Sequence, residues 1–157
     1  MLKWGWLTAG TLILACSALA SEAAPQGAGR PRNGRTPRVN YMTECQGCHL
    51  PDGSGMAGKV PSLKGEIAKF LDVEGGRRFI IQVPGAANSK LSDEDLAEVM
   101  NWIIGTMGPR RSDQFEPYTA QEVARYRSVR LTDIAHKREL LVRQFSQPAP
   151  ALESALR

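Results

Sequence analysis

Apolar residues recur along most of this chain at the three-and-four spacing of helices, and nowhere convincingly at the spacing of two that marks strands. The clearest stripe is Leu96, Val99, Met100, Ile103, Ile104 and Met107, within a predicted helix from Asp93 to Met107. Ser92 is a good N-cap with Asp95 three positions on, close to a capping box, and Gly108-Pro109 ends the helix. Ile67, Phe70 and Leu71 form a shorter stripe broken at Gly75-Gly76. Arg77 to Val83 (RRFIIQV) fits a helix or a buried strand by periodicity alone; with no partner strand elsewhere it is assigned helix, stopped by Pro84-Gly85. Val39 to Gln46 reads as a helix ahead of a polar, Gly-rich loop, Leu50 to Gly55. Beyond Gly108, Thr119-Ala120-Gln121-Glu122 is a capping box that opens a helix to about Tyr126. Asp133 caps another, with Ile134, Leu141, Val142 and Phe145 on one side and Lys137, Arg138 and Arg143 on the other. The fold class is therefore all-α. Two such short helices cannot persist alone, so they must pack on the preceding domain or on a partner.

The N-terminus follows a different pattern. Lys3 precedes an apolar run, Trp4 to Ala15, and then Ala18-Leu19-Ala20, a small-residue cleavage site. The run is short of the ~20 residues a bilayer span needs. Residues 1–20 are read as a secretory signal peptide, which places the mature protein in the periplasm. Cys16 after Ile13-Leu14-Ala15 offers a lipoprotein alternative, and membrane attachment follows only if Cys16 is lipidated. Residues 21–38, rich in Pro, Gly and Arg, read as a flexible linker. Residues 39–108 form the expected domain, 109–145 a helical extension and 146–157 a disordered tail. Phe115-Glu116-Pro117-Tyr118 is an extended tether whose aromatics are placed to cover the domain's surface.

Composition narrows the function classes. The chain has 157 residues, one domain's worth, and a formal net charge of +4 that drops by one when Lys3 leaves with the leader. So small a charge gives no case for nucleic acid. No Ser-His-Asp array, paired acid–base carboxylates or phosphate loop is present, so the expectation is a non-enzyme.

The chemistry concentrates in Cys45-Gln46-Gly47-Cys48-His49. C-x-x-C-H is the attachment signature of a c-type haem. Two thiols three residues apart on one turn can each add to a vinyl group of the same porphyrin, and the adjacent imidazole then sits beneath the iron as proximal ligand. A zinc site wants four ligands, and outside the motif only Cys16 and His136 are on offer. A thioredoxin-type pair needs a preceding strand, and residues 28–38 show no strand pattern. The expected cofactor is one covalent haem c, bound through Cys45 and Cys48, with His49 on the iron. The Pro61 carbonyl, in Val60-Pro61-Ser62-Leu63, is an expected acceptor for the His49 Nδ1–H.

Helix, C-x-x-C-H, Asp-Gly-x-Gly loop, Pro-x-Leu, and a last helix opening Leu-Ser-Asp-Glu-Asp-Leu and carrying Trp102 together resemble a class I cytochrome c over about Val39–Met107. The resemblance implies a cytochrome c-like haem domain whose last helix crosses the first, with Trp102 packed at the crossing. It also implies an axial Met just before the last helix. Here that loop, Pro84 to Leu91, holds neither Met nor His. The distal position is left to Met107, with Met56 and Met100 behind it, or to an open or unidentified site; Lys90 would first have to deprotonate, and His136 reads as a surface residue. The function expected is an exported monohaem cytochrome passing single electrons between redox proteins, with a periplasmic dehydrogenase or terminal oxidase as candidate partners. Two alternatives stand beside it. One is a haem-based ligand-binding or sensor protein with an open sixth position. The other is a cytochrome subunit of a periplasmic dehydrogenase, docked by the C-terminal helices.

Overall fold

The computed structural model describes residues 32–108 and 115–146. The signal peptide, Cys16, the first part of the linker, Arg110 to Asp113 and most of the C-terminal tail lie outside the described residues. Among the described residues the chain is helical, with one isolated bridge, Met56 to Val60, and no strand. No helix there is long and apolar enough to cross a membrane.

Helix α1 (Pro37–Glu44) starts two residues before its expected position. Thr36 caps it, accepting from the Val39 amide at 3.4 Å, and Pro37 supplies a preset φ in the first turn. Ile67–Asp72 closes as a 3₁₀ helix rather than an α-helix. Helix α2 (Gly76–Gln82) covers the ambiguous RRFIIQV run and settles it as helix. Pro84 does end α2, but it also opens a single turn, α3 (Pro84–Ala87). Helix α4 (Asp93–Met107) has the predicted bounds, and Ser92 accepts from the Asp95 amide at 3.0 Å.

The resemblance predicted that α4 crosses α1, and it does so through Tyr41 and Trp102, ring centroids 5.4 Å apart. Tyr41 is fully buried and donates its hydroxyl to the Leu50 carbonyl at 2.7 Å, which ties α1 to the loop that follows.

The linker assignment needs correction at its end. Asn33 donates its amide to the buried Asp95 carboxylate at 3.0 Å and its side chain to the buried Asn40 at 2.8 Å. Arg32 pairs with Glu98 beside it. Two buried polar groups, one on α1 and one on α4, need partners, and these residues provide them. Arg32–Arg38 therefore belongs to the packed domain.

Helix α5 (Ala120–Arg127) and helix α6 (Ile134–Arg143) bury their stripes on this same domain. Val123 is fully buried, Leu141 nearly so, and Phe145 meets Phe70 edge-on at 4.8 Å. Thr119 caps α5 as expected, but Glu122 does not complete the box. Its carboxylate is held by Arg77 of α2, at 2.6 and 2.7 Å. Tyr118 is buried, donates to the Arg77 carbonyl at 2.7 Å, and exchanges two hydrogen bonds with Asn101 of α4. The tether's tyrosine thus locks the extension to α2 and α4.

Candidate cofactor site

The turn after α1 continues the helical sense without being part of the helix. The Cys48 and His49 amides both donate to the Cys45 carbonyl, at 3.1 and 2.9 Å. That folds Cys45, Cys48 and His49 onto one turn, and all three open onto a single cavity of about 480 Å³. Its wall is otherwise largely apolar. Ile67 and Phe70 come from the 3₁₀ helix, Phe79 and Ile80 from α2, and Leu96, Val99, Met100 and Ile103 from α4. The volume suits a cofactor-sized ligand held by apolar contact with a few placed polar groups.

Both thiols are free. Burial pushes the Cys45 thiol up to about 11, with the Glu44 carboxylate and Cys48 adding to the effect. A redox-active thiol is instead one held below its ordinary value, which burial of Cys45 opposes. Among the described residues no three His, Cys, Asp or Glu side chains converge on a point that could hold a bare ion. Burial also lowers the proton affinity of His49, keeping the imidazole neutral. The His49 Nδ1 is buried and has no hydrogen-bond partner. His49 itself lines the cavity, so its ring can offer a nitrogen to a group bound there.

The Pro61 carbonyl does not accept from His49. Val60 and Pro61 instead press their backbone against Gly55, where a Cβ would fall 1.9 Å from the Val60 oxygen and 2.7 Å from the Pro61 oxygen. Only glycine admits that approach.

Met107, the residue first expected at the distal position, is not among the residues that line the cavity. Its thioether packs on Gly53, whose φ is +82° and where a Cβ would sit 2.5 Å from the Met107 sulfur. The Met107 carbonyl accepts from the Gly65 amide at 2.7 Å, so the end of α4 is fastened to the loop following the motif. Met56 is exposed and borders a shallow neighbouring recess. Of the three methionines, Met100 reaches the cavity. Lys90 is exposed and off the wall, and His136 sits on the outer face of α6 beside Asp133, at 3.8 Å. Trp102 and Tyr118 are likewise off the wall.

Three contributions were missed by sequence reasoning. Ile134 and Arg138 of α6 help to close the cavity. The segment 84–91, which also lines it, is gripped by Arg127. The apolar stripe of α6 was a signal for the first; nothing in the sequence marks the grip of Arg127.

Two known proteins share this pattern over most of their length. Cytochrome c-552 of Thermus thermophilus is 33% identical over 113 residues, covering 60% of this chain and 86% of the relative. A second cytochrome c-552, from a particular strain of Thermus thermophilus, has the same identity, with 76% of its length covered. This chain belongs to the cytochrome c family. No family model matches the chain. A cytochrome c carries covalently bound haem c, and the residues present fit that group. Two thiols and an imidazole on one turn face an apolar cavity that no bare metal ion requires. In this cytochrome the residues of α5 and α6 are packed against the haem domain as part of its body.

Proposed function

We propose that this chain is an exported monohaem cytochrome that carries single electrons between periplasmic redox proteins. Cys45 and Cys48 would hold the haem through two thioethers, each made by adding S–H across a vinyl group with no net change of redox state. His49 would supply a ring nitrogen to its iron. Bound haem supplies the one-electron chemistry, and the protein supplies anchorage, orientation and a low-dielectric wall. The observation that carries this reading is the convergence of Cys45, Cys48 and His49 on one apolar cavity. Cys48 is exposed, so the attachment turn lies at the surface where a partner can approach. Met42, Leu50 and Met56, in the stretches flanking the motif, are also exposed and offer apolar contact area. Burial of the α5 and α6 stripes against the domain weakens the dehydrogenase-subunit alternative, which needed those faces for docking.

One observation favours a second reading, the open sixth position. The loop before α4 contributes no thioether or imidazole, and the Met107 sulfur packs on Gly53 rather than lining the cavity. If Met100 does not ligate, reduced protein should take carbon monoxide readily.

Intact mass after acid–acetone extraction tests the main reading. Retention of one haem is expected, and its complete loss would refute covalent attachment. Substituting Cys45→Ala or Cys48→Ala should sharply lower holoprotein yield. Spectra of oxidised and reduced protein then separate the two readings. A Met–iron band near the red end that disappears in Met100→Ala supports a closed carrier.

A further inference from the structure

The geometry points to Arg127 as a positioning residue for one wall of the haem cavity, an inference that rests on the function proposed above. Arg127 ends α5, far from the motif in sequence. Its guanidinium uses every nitrogen on one short segment. Nε donates to the Ala87 carbonyl at 3.2 Å, Nη2 to the Ser89 carbonyl at 2.9 Å, and Nη1 to the Leu91 carbonyl at 3.1 Å and the Asp93 carboxylate at 2.9 Å. The side chain is 13% exposed and that of Asp93 is 25% exposed, so the cluster is largely shielded from water.

Ser89 and Leu91 lie outside any helix, and their carbonyls accept from Arg127. A planar fork of N–H groups can satisfy three carbonyls and a carboxylate at once, whereas an ammonium cannot span them. The same segment contributes Ala86, Ser89 and Leu91 to the cavity wall. It therefore has two faces, one on the cavity and one on Arg127. It also holds no side chain of its own suited to ligating iron. Its part is to set how closely protein approaches the cofactor on that side and how much water enters, and Arg127 fixes that distance. The C-terminal extension thus acts on the haem through backbone carbonyls.

The test uses full-length holoprotein with Arg127→Lys and Arg127→Gln. Glu122→Gln serves as control, because it loosens α5 from α2 without touching the 87–91 carbonyls. Both Arg127 variants should shift the reduction potential and change the carbon monoxide association rate of reduced protein several-fold. Glu122→Gln should lower stability to a similar degree while leaving both near wild type. The lysine variant keeps the charge beside Asp93, so its failure to restore the wild-type potential assigns the effect to the carbonyls. Hydrogen exchange gives a second readout. The amides of 88, 89 and 90 bond to Pro84, Ala86 and Glu44, so they should exchange faster in both Arg127 variants than in wild type and should not in Glu122→Gln. Wild-type potential and ligand kinetics in the lysine variant, or wild-type exchange at 88–90 in both Arg127 variants, would overturn the inference. Loss of haem from the wild type on extraction would instead overturn the proposed function, before any variant is made.

Discussion

The loop from Leu50 to Leu63 and the segment from Val83 to Leu91 both border the cavity, and they are held by different means. The first is closed mostly by its own residues. The Leu50 amide donates to the Ser54 carbonyl at 2.7 Å, the Gly53 amide to Leu50 at 2.9 Å, and Met56 and Val60 exchange bonds across a tight turn. Ser54 also bonds Asp52, whose carboxyl is held down to about 2 by that hydroxyl and amide and by Lys64. The second region bonds within itself as far as Ser89, but its Ala87, Ser89 and Leu91 carbonyls are also gripped by Arg127, tens of residues away. A loop held by its own residues folds with its neighbours; one that also leans on a distant side chain depends on the chain between. The loop after the attachment motif is thus built locally, and the 83–91 stretch of wall is braced by the extension.

The sharpest way to break this contrast is to unseat the extension. Leu141 is 1% exposed, and Leu141→Ala should cost about 2–5 kcal/mol in urea unfolding of the holoprotein. Exchange protection should fall first at 88–91 and persist in the 50–63 loop. Equal loss in both regions would remove the distinction. The next effect lies on the local side. Gly53→Ala places a Cβ against the Met107 sulfur at a φ of +82°, and should cost about 1–3 kcal/mol. That cost should be the same whether or not Leu141 has been replaced, since the two sites share no partner.

What was legible in the sequence follows the same division. Ser92, Thr119 and Asp133 act within their own first turns, so their helices could be placed from a few residues each. The C-x-x-C-H turn is likewise local, and its three side chains line one cavity. The setting of Met107 was not legible, because a stripe position tells which face of a helix is buried but not against what. Here the end of α4 is buried against the Gly53 loop. Asn33 and Arg127 look like ordinary polar residues in a linker and a helix end. Their roles depend on buried partners, Asp95 and the 87–91 carbonyls, that only the folded chain brings near.

A smaller effect is pH-dependent. The hydrogen bond from Arg77 holds the Glu122 carboxyl below its ordinary range. Because the folded value is the lower one, the stabilisation is complete above the unfolded value of ~4.3 and is lost as pH falls through the folded value. Glu122→Gln should therefore cost about 1–2 kcal/mol at pH 7. The gap between variant and wild type should narrow as solutions are acidified toward pH 3. A gap that stays constant would show that Arg77 binds the side chain without regard to its charge. The smallest effect is expected at Ser92, where Ser92→Ala removes the cap on α4 and should cost about 1 kcal/mol in both regions alike.

The placement of Ile134 and Arg138 on the cavity wall also makes the chamber depend on the far end of the chain. Helix α6 is the last α-helix of the described chain, so a polypeptide cut short before it would leave the chamber without one of its sides, and a cofactor held at Cys45 and Cys48 would meet water there.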